Sequence, residues 1–136
     1  MPERYEIIDH TADICIRTTG TSLPNAFENA GYALFDTMCD AASVNPISIK
    51  KVRCEADDLE QLLVDWLSEL LFICDVDDML FSVFEVEIYG TKLEARIKGE
   101  KMDSARHHLK TDIKAITYHM LEVDESTNTV QVLFDI

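Results

Sequence analysis

The chain has 136 residues, 47% of them hydrophobic, and its 12 basic and 26 acidic residues give a formal net charge of −14. This composition is typical of one globular domain, which we place over residues 1–136. The negative charge argues against direct nucleic-acid binding and against binding to an anionic membrane surface, because both need clustered cations. No apolar run approaches the roughly 20 residues that span a bilayer, and the start MPERYEIIDH is too charged for a signal peptide. We therefore expect a soluble, cytoplasmic protein.

Two short strands are predicted at the start of the chain, over residues 5–8 and 14–18, with the polar segment DHTAD between them. In the second strand Ile14, Ile16 and Thr18 share one face. Because side chains alternate along a strand, Asp13, Cys15 and Arg17 lie on the other face.

Two amphipathic helices are predicted next. The first begins after the cap residues Thr21 and Ser22 and ends near residues 39–40. The second begins after Asp57 or Asp58, with Glu60 or Gln61 at the reciprocal position of a capping box. Its apolar stripe has helical spacing and comprises Leu59, Leu62, Leu63, Trp66, Leu67, Leu70, Leu71 and Cys74. We expect this stripe, with Trp66 at its middle, to be buried against a sheet.

Strands dominate the remaining sequence. One strand is predicted over residues 47–55, and a hairpin turns at Gly90 and Thr91, which sets Phe84 opposite Ile97 on the apolar face. On its other face Glu85 lies opposite Arg96, a favourable charge pair. Gly99 is expected to end the hairpin, and residues 100–110 to form a solvated connection that contains His107 and His108.

The last part of the chain favours a second hairpin. Residues 113–123 carry both helical and strand signals, but the final strand needs a neighbour. That final strand alternates, with its apolar face formed by Val130, Val132, Phe134 and Ile136. The order of elements predicts an α+β fold, a two-layer sandwich of mostly antiparallel sheet with two main helices packed on it.

The polar segment of residues 9–13 is the best candidate for chemistry. A histidine with two carboxylates suits acid–base catalysis, and the carboxylates suit a hard cation, but the same residues also suit a turn that satisfies its own backbone. The four cysteines are widely spaced and fit reduced, buried thiols better than a zinc site, which lacks its usual spacing. Near the end, Asp135 is followed only by Ile136, which brings a side-chain and a terminal carboxylate within one residue.

Four sequence blocks resemble the archease family. They are HTADI near the start, LLVDWLSELL in the second helix, GE followed by IKAITYH, and FDI at the end. The blocks lie in the family's order over nearly the whole chain. Ser68 stands where the family usually has Asn, on the polar face of the helix.

The resemblance implies an accessory protein, not an enzyme, that serves RtcB-type RNA ligases in tRNA splicing. Such proteins promote guanylation of the ligase and permit its multiple turnover. The resemblance also implies a divalent metal site, for calcium, formed by Asp13, Asp135 and Ile136. A small chaperone-like or general protein-binding module is the alternative function, and a hydrolase using His10 and Asp13 lacks a nucleophile or a phosphate-binding loop. The sequence leaves the strand order, the oligomeric state and the ligase-contacting surface open.

Overall fold

Strands and helices follow one another in the order that the sequence predicts. The structure, a computed structural model, describes residues 4–8 and 13–136. Its elements are β1 (Glu6–Ile8), β2 (Ile14–Thr19), α1 (Leu23–Met38), a 3₁₀ helix (Ala41–Ser43), β3 (Ser48–Glu55), α2 (Leu59–Asp77), β4 (Met79–Tyr89), β5 (Lys92–Lys101), β6 (Ala115–Asp124) and β7 (Thr129–Asp135). The prediction of an α+β fold with two main helices is confirmed, and the segment with conflicting signals forms a strand from Ala115 to Asp124, with residues 113 and 114 outside it. Residues 9–12 of the opening motif lie outside the described residues.

The strands form two antiparallel sheets, a division that the sequence did not indicate. The first sheet has the order β1-β2-β7-β6 and the second has the order β3-β5-β4. In the first sheet β2 and β7 pair over residues 14–19 and 129–134. The first and last parts of the chain are therefore neighbours in space.

Both helices begin at caps that the sequence marked. Ser22 caps α1 with its side-chain oxygen, and Asp58 caps α2 by accepting from the backbone N–H of Gln61 at 2.8 Å. The reciprocal half of the capping box does not form, because the Gln61 side chain donates to Asp65 and to Tyr118 instead. This contact ties the start of α2 to β6.

The core lies around α1 and α2, each of which contacts strands of both sheets. Trp66 is fully buried, its ring meets Phe84 edge-on with centroids 6.3 Å apart, and its Nε1–H donates to the carbonyl oxygen of Phe27 at 3.0 Å. The predicted burial of Trp66 is confirmed. The indole joins α2, α1 and the second sheet at one point.

The β4–β5 hairpin has the predicted register, with Phe84 opposite Ile97 and Glu85 opposite Arg96. The ion pair of Glu85 is nevertheless formed diagonally, with Lys98 at 3.6 Å. The prediction that Gly99 ends the hairpin is wrong, because β5 continues to Lys101.

Gly99 has a different role, which is to allow a close backbone approach. A Cβ added there would lie 2.7 Å from the Cα of Phe81 and would overlap the carbonyl oxygen of Leu80. The β4–β5 register shifts between Phe81 and Val83, beside this contact. Only glycine fits this irregularity without moving the backbone.

The connection after β5 is not uniformly solvated. His108 is exposed as predicted, but the prediction for His107 is wrong, because its side chain is 1% exposed. The backbone N–H of Asp103 donates to His107 Nδ1 at 2.9 Å, and His107 Nε2 lies 2.9 Å from Glu100 Oε2. Because Nδ1 accepts from a backbone N–H, Nε2 is the ring nitrogen that can donate to Glu100.

Glu100 forms the contacts that hold this connection in place. It pairs with Arg106, accepts from the backbone N–H of Asn45 at 2.7 Å and accepts from His107. The Arg106 hydrogen bond, followed by the one from Asn45, lowers the pKa of Glu100 from 4.5 to about 2. The carboxylate therefore links the connection, through Arg106 and His107, to the segment that precedes β3, through Asn45.

All four cysteines are free, as predicted for reduced thiols. Burial raises the pKa of Cys39 and of Cys54 to about 11, and that of Cys74 to about 12. Burial raises the pKa of Cys15 as well. Thiols with raised pKa values are poor nucleophiles and poor metal ligands at neutral pH.

Candidate metal site

The candidate site lies at the end of β7, between β2 and β6. The last paired residues of β2 and β7 are Ile14 and Phe134. Continuing that register by one residue sets Asp13 directly opposite Asp135. On the other side Asp135 pairs with Ala115. The opening motif, the third sequence block and the end of the chain therefore meet at this edge of the sheet.

Alternation along the strands places both carboxylates on the same face of the sheet. Ile16, Val132 and Phe134 point to the opposite face and are fully buried in the core. Directly opposed residues of antiparallel strands share a face, with Cβ atoms about 4.5–5.5 Å apart. In that extended register Asp13 and Asp135 would lie within reach of one common ligand. The sequence predicted the face of each residue, but not that the two strands are neighbours.

The residues beside the acidic pair on this face are apolar and buried. Cys15 is 0% exposed and Leu133 is 3% exposed, and the two are opposite each other in the register. This face is therefore not simply a solvated polar surface, as alternation alone would suggest. Charges beside buried apolar groups are screened less by water than charges on an open surface.

The acidic pair has no cationic partner in the described part of the chain. Asp13 and Asp135 are half-buried, and neither takes part in an ion pair among residues 4–8 and 13–136. Like charges directly opposite each other on a sheet destabilise it. A divalent cation would remove that cost, and carboxylate oxygens are the ligands that calcium and magnesium prefer. The donor chemistry of the two residues fits such an ion.

Backbone pairing holds Asp135 in place on the β6 side. Its carbonyl oxygen accepts from the N–H of Lys114 at 2.8 Å and it pairs with Ala115, whereas the pairing of β7 with β2 ends one residue earlier, at Phe134. Ile136 follows β7, and its side chain is 38% exposed, unlike the buried Val130, Val132 and Phe134 with which alternation grouped it. Ile136 thus lies at the surface, and in the chain it follows Asp135 directly.

Within the described ranges, no three His, Cys, Asp or Glu side chains are close enough to hold a metal ion together. The side chains of Asp13 and Asp135 alone are therefore too few to hold a divalent ion, and the predicted calcium site would need further oxygen donors. The structure does not test the predicted role of Ile136.

One feature of this face was missed by the sequence reasoning. Arg17 donates to Gln131 Oε1 from Nη2 at 2.6 Å and from Nε at 3.1 Å, and Gln131 Nε2 donates to the carbonyl oxygen of Met120 at 2.9 Å. Met120 has a φ of 59°, within the irregular part of the β6–β7 pairing. These contacts fix a cation on the same face as the acidic pair. Alternation indicated the face of Arg17 and of Gln131, but their contact depends on strands far apart in sequence.

Comparisons with known proteins agree over nearly the whole chain. The family model described as Archease protein family matches residues 5–136. Protein archease of Pyrococcus abyssi is 42% identical over 127 residues, which cover 90% of this chain and 89% of that protein. Protein archease of Methanosarcina mazei is 38% identical, covering 98% of this chain and 97% of that protein. The solution structure of Methanobacterium thermoautotrophicum protein 1598 superposes with a TM-score of 0.84 at 33% identity, covering 99% of this chain and 100% of that one.

No helix in the described ranges is both long enough and apolar enough to cross a membrane.

Proposed function

The chain belongs to the archease family, and from this premise we propose that it is an accessory factor of an RtcB-type RNA ligase in tRNA splicing. In this role the protein promotes guanylation of the ligase and so allows each ligase molecule many turnovers, while joining no RNA itself. Family membership supports an accessory role. The net charge of −14 supports a protein partner, because an acidic surface repels RNA phosphates and attracts a basic enzyme.

The observation that carries the proposal is the β2–β7 register, whose last pair, Ile14 and Phe134, adjoins Asp13 and Asp135 in the chain. In the proposed site both carboxylates and the main-chain carboxyl group of Ile136 hold one divalent cation, calcium. The bound ion would supply a compact positive charge at the edge of the sheet. The residues of the chain do the positioning, since β6 pairs with Asp135 and β2 pairs with Phe134 immediately before it.

In the proposed function, the carboxylate oxygens of the acidic site hold the cation in a fixed orientation toward the ligase, because the strands that carry them belong to one sheet. Arg17, held by Gln131 on the same face, adds a positioned donor for an anionic group of the partner. Encounter with a basic enzyme surface is accelerated by the opposite charges, so the association rate should fall as salt is raised.

A ligation time course with RNA substrate in large excess over the cognate ligase tests the proposal. Wild-type protein should convert a single-turnover reaction into a multiple-turnover one and should increase labelling of the ligase by radioactive GTP. Asp135→Asn should lose both effects and Asp13→Asn should do the same, whereas Glu125→Gln, an exposed acidic residue in the β6–β7 turn, should keep them. Absence of stimulation by the wild-type protein would refute the proposed function.

Metal binding needs a separate readout. Titration calorimetry with calcium should give a binding isotherm for the wild-type protein and for Glu125→Gln, and none for Asp135→Asn. If the two aspartate variants bind calcium like the wild type but fail to stimulate the ligase, the carboxylates act on the ligase without the ion. Suppression of aggregation of unrelated proteins by the wild type would instead favour the chaperone-like function.

A further inference from the structure

The solvent-facing side of α2 carries two large apolar side chains. Phe72 is 59% exposed and Val76 is 62% exposed. They are four residues apart, so they lie on one face of the helix, one turn from each other. The opposite side of α2 is the buried stripe. Two neighbouring apolar side chains on the solvated face of an amphipathic helix contribute nothing to the core of this chain.

The charge on α2 is also unusual. The helix contains five acidic residues and no Lys or Arg, the acidic ones being Glu60, Asp65, Glu69, Asp75 and Asp77. Two of them lie in or next to the last turn, where the helix dipole disfavours negative charge.

Only one of those two C-terminal carboxylates is compensated. Asp77 pairs with Lys50 at 2.6 Å, but within the described residues neither Asp75 nor Glu69 forms an ion pair, and both are exposed. Glu69 and Asp75 flank Phe72 in sequence, each one helical turn from it. Within the described residues, the exposed apolar pair is thus bordered by two negative charges without an ion pair, and the one in the last turn, Asp75, lowers helix stability.

A third exposed side chain with a large apolar part, Tyr118 of β6, lies beside the other end of α2. It is 62% exposed, and its hydroxyl accepts from Gln61 of α2 at 3.1 Å. Gln61 is eleven residues, or roughly 16 Å, before Phe72 along the helix, so Tyr118 is not part of the surface formed by Phe72 and Val76.

We propose that the α2 face, defined by Phe72, Val76, Glu69 and Asp75, docks into an apolar recess rimmed by Arg and Lys side chains on the RtcB-type ligase, an inference that rests on the proposed function. The carboxylates select a basic protein surface, because they repel nucleic acid and anionic membranes. They also argue against a second copy of this chain, since a symmetric contact would set α2, which has no cation, against itself. Docking through this face would set affinity, while the acidic site would act on the ligase.

The test measures two quantities separately: the affinity of this protein for the ligase, and the stimulation of ligation when the protein is saturating. The half-maximal concentration of this protein for stimulating multiple-turnover ligation should rise at least tenfold in the double variant Phe72→Ser, Val76→Ser. Stimulation at saturation should stay at the wild-type level. The matched control is Ile47→Ser, which removes an apolar side chain that is 72% exposed on another surface.

Neutralising Glu69 and Asp75, which flank Phe72, tests whether the recess on the ligase is rimmed by basic side chains. The double variant Glu69→Gln, Asp75→Asn should weaken half-maximal stimulation and flatten its dependence on salt, whereas Glu55→Gln combined with Glu125→Gln, both exposed elsewhere, should change neither. A wild-type half-maximal concentration in the Phe72→Ser, Val76→Ser variant would overturn the docking surface while leaving the proposed function intact. A wild-type protein that fails to stimulate the ligase at any concentration would overturn both.

Discussion

Replacement of Trp66 by Ala is expected to destabilise the protein by about 3–5 kcal/mol. The indole is fully buried, meets Phe84 edge-on and donates a hydrogen bond to Phe27, so its removal leaves a cavity at the junction of both helices and the second sheet. Unfolding entropies of about 2.1 cal/mol/K per residue give roughly 0.3 kcal/mol per degree for a chain of this length, so the melting temperature should fall by about 10–17 °C. Since domains are stable by about 5–15 kcal/mol, a large share of the folding free energy would be lost.

Thermal and urea unfolding followed by circular dichroism measure this change. Phe72→Ala is the matched control, because it removes an aromatic ring from the same helix at a position that is 59% exposed, and it should cost about 0.5 kcal/mol or less. Trp66→Phe keeps much of the ring volume but loses the hydrogen bond, so an intermediate loss of about 1–2 kcal/mol is expected. A Trp66→Ala protein with the wild-type melting temperature would refute the argument that the indole joins the layers of the core.

Four further outcomes are expected. Adding one residue after Ile136 should displace the proposed carboxyl ligand, and so weaken calcium binding in calorimetry without lowering the melting temperature of the metal-free protein. Because its pKa is lowered to about 2, Glu100 stabilises the fold fully above pH 4.5 and loses that effect as the pH falls toward 2. The stability difference between wild type and Glu100→Gln in urea titrations should therefore be constant above pH 5 and should shrink below it. Gly99→Ala should cost about 3 kcal/mol or more in the same assay, because the new methyl group overlaps the Leu80 carbonyl. The isolated protein should show no salt-dependent binding of tRNA exons in a filter assay, and tight binding would contradict the charge argument.

Local features of this fold could be predicted because they depend on residues close in sequence. The apolar stripe of α2, a cap at Asp57 or Asp58 and the register of the β4–β5 hairpin all follow from spacings of a few residues. Side-chain alternation likewise predicted which face of its strand Asp13 occupies, and which face Asp135 occupies. These predictions needed only helix and strand periodicity and the geometry of a short turn.

Features that join distant parts of the chain were decided by the tertiary structure alone. Arg17 and Gln131 are 114 residues apart, and only the pairing of β2 with β7 brings them together. The burial of His107 depends on Glu100 and on the segment before β3, which no local pattern connects to a run of polar residues.

The candidate site combines both kinds of information. Residue chemistry by itself identified the carboxylates, and the resemblance to a family grouped Asp13 with Asp135. The pairing of Ile14 with Phe134, which adjoins both aspartates, comes from backbone hydrogen bonding between strands at the two ends of the chain. Sequence patterns determine local conformation because they report which side of an element is apolar. They do not determine which elements become neighbours, because that depends on how all the apolar surfaces of the chain are buried together.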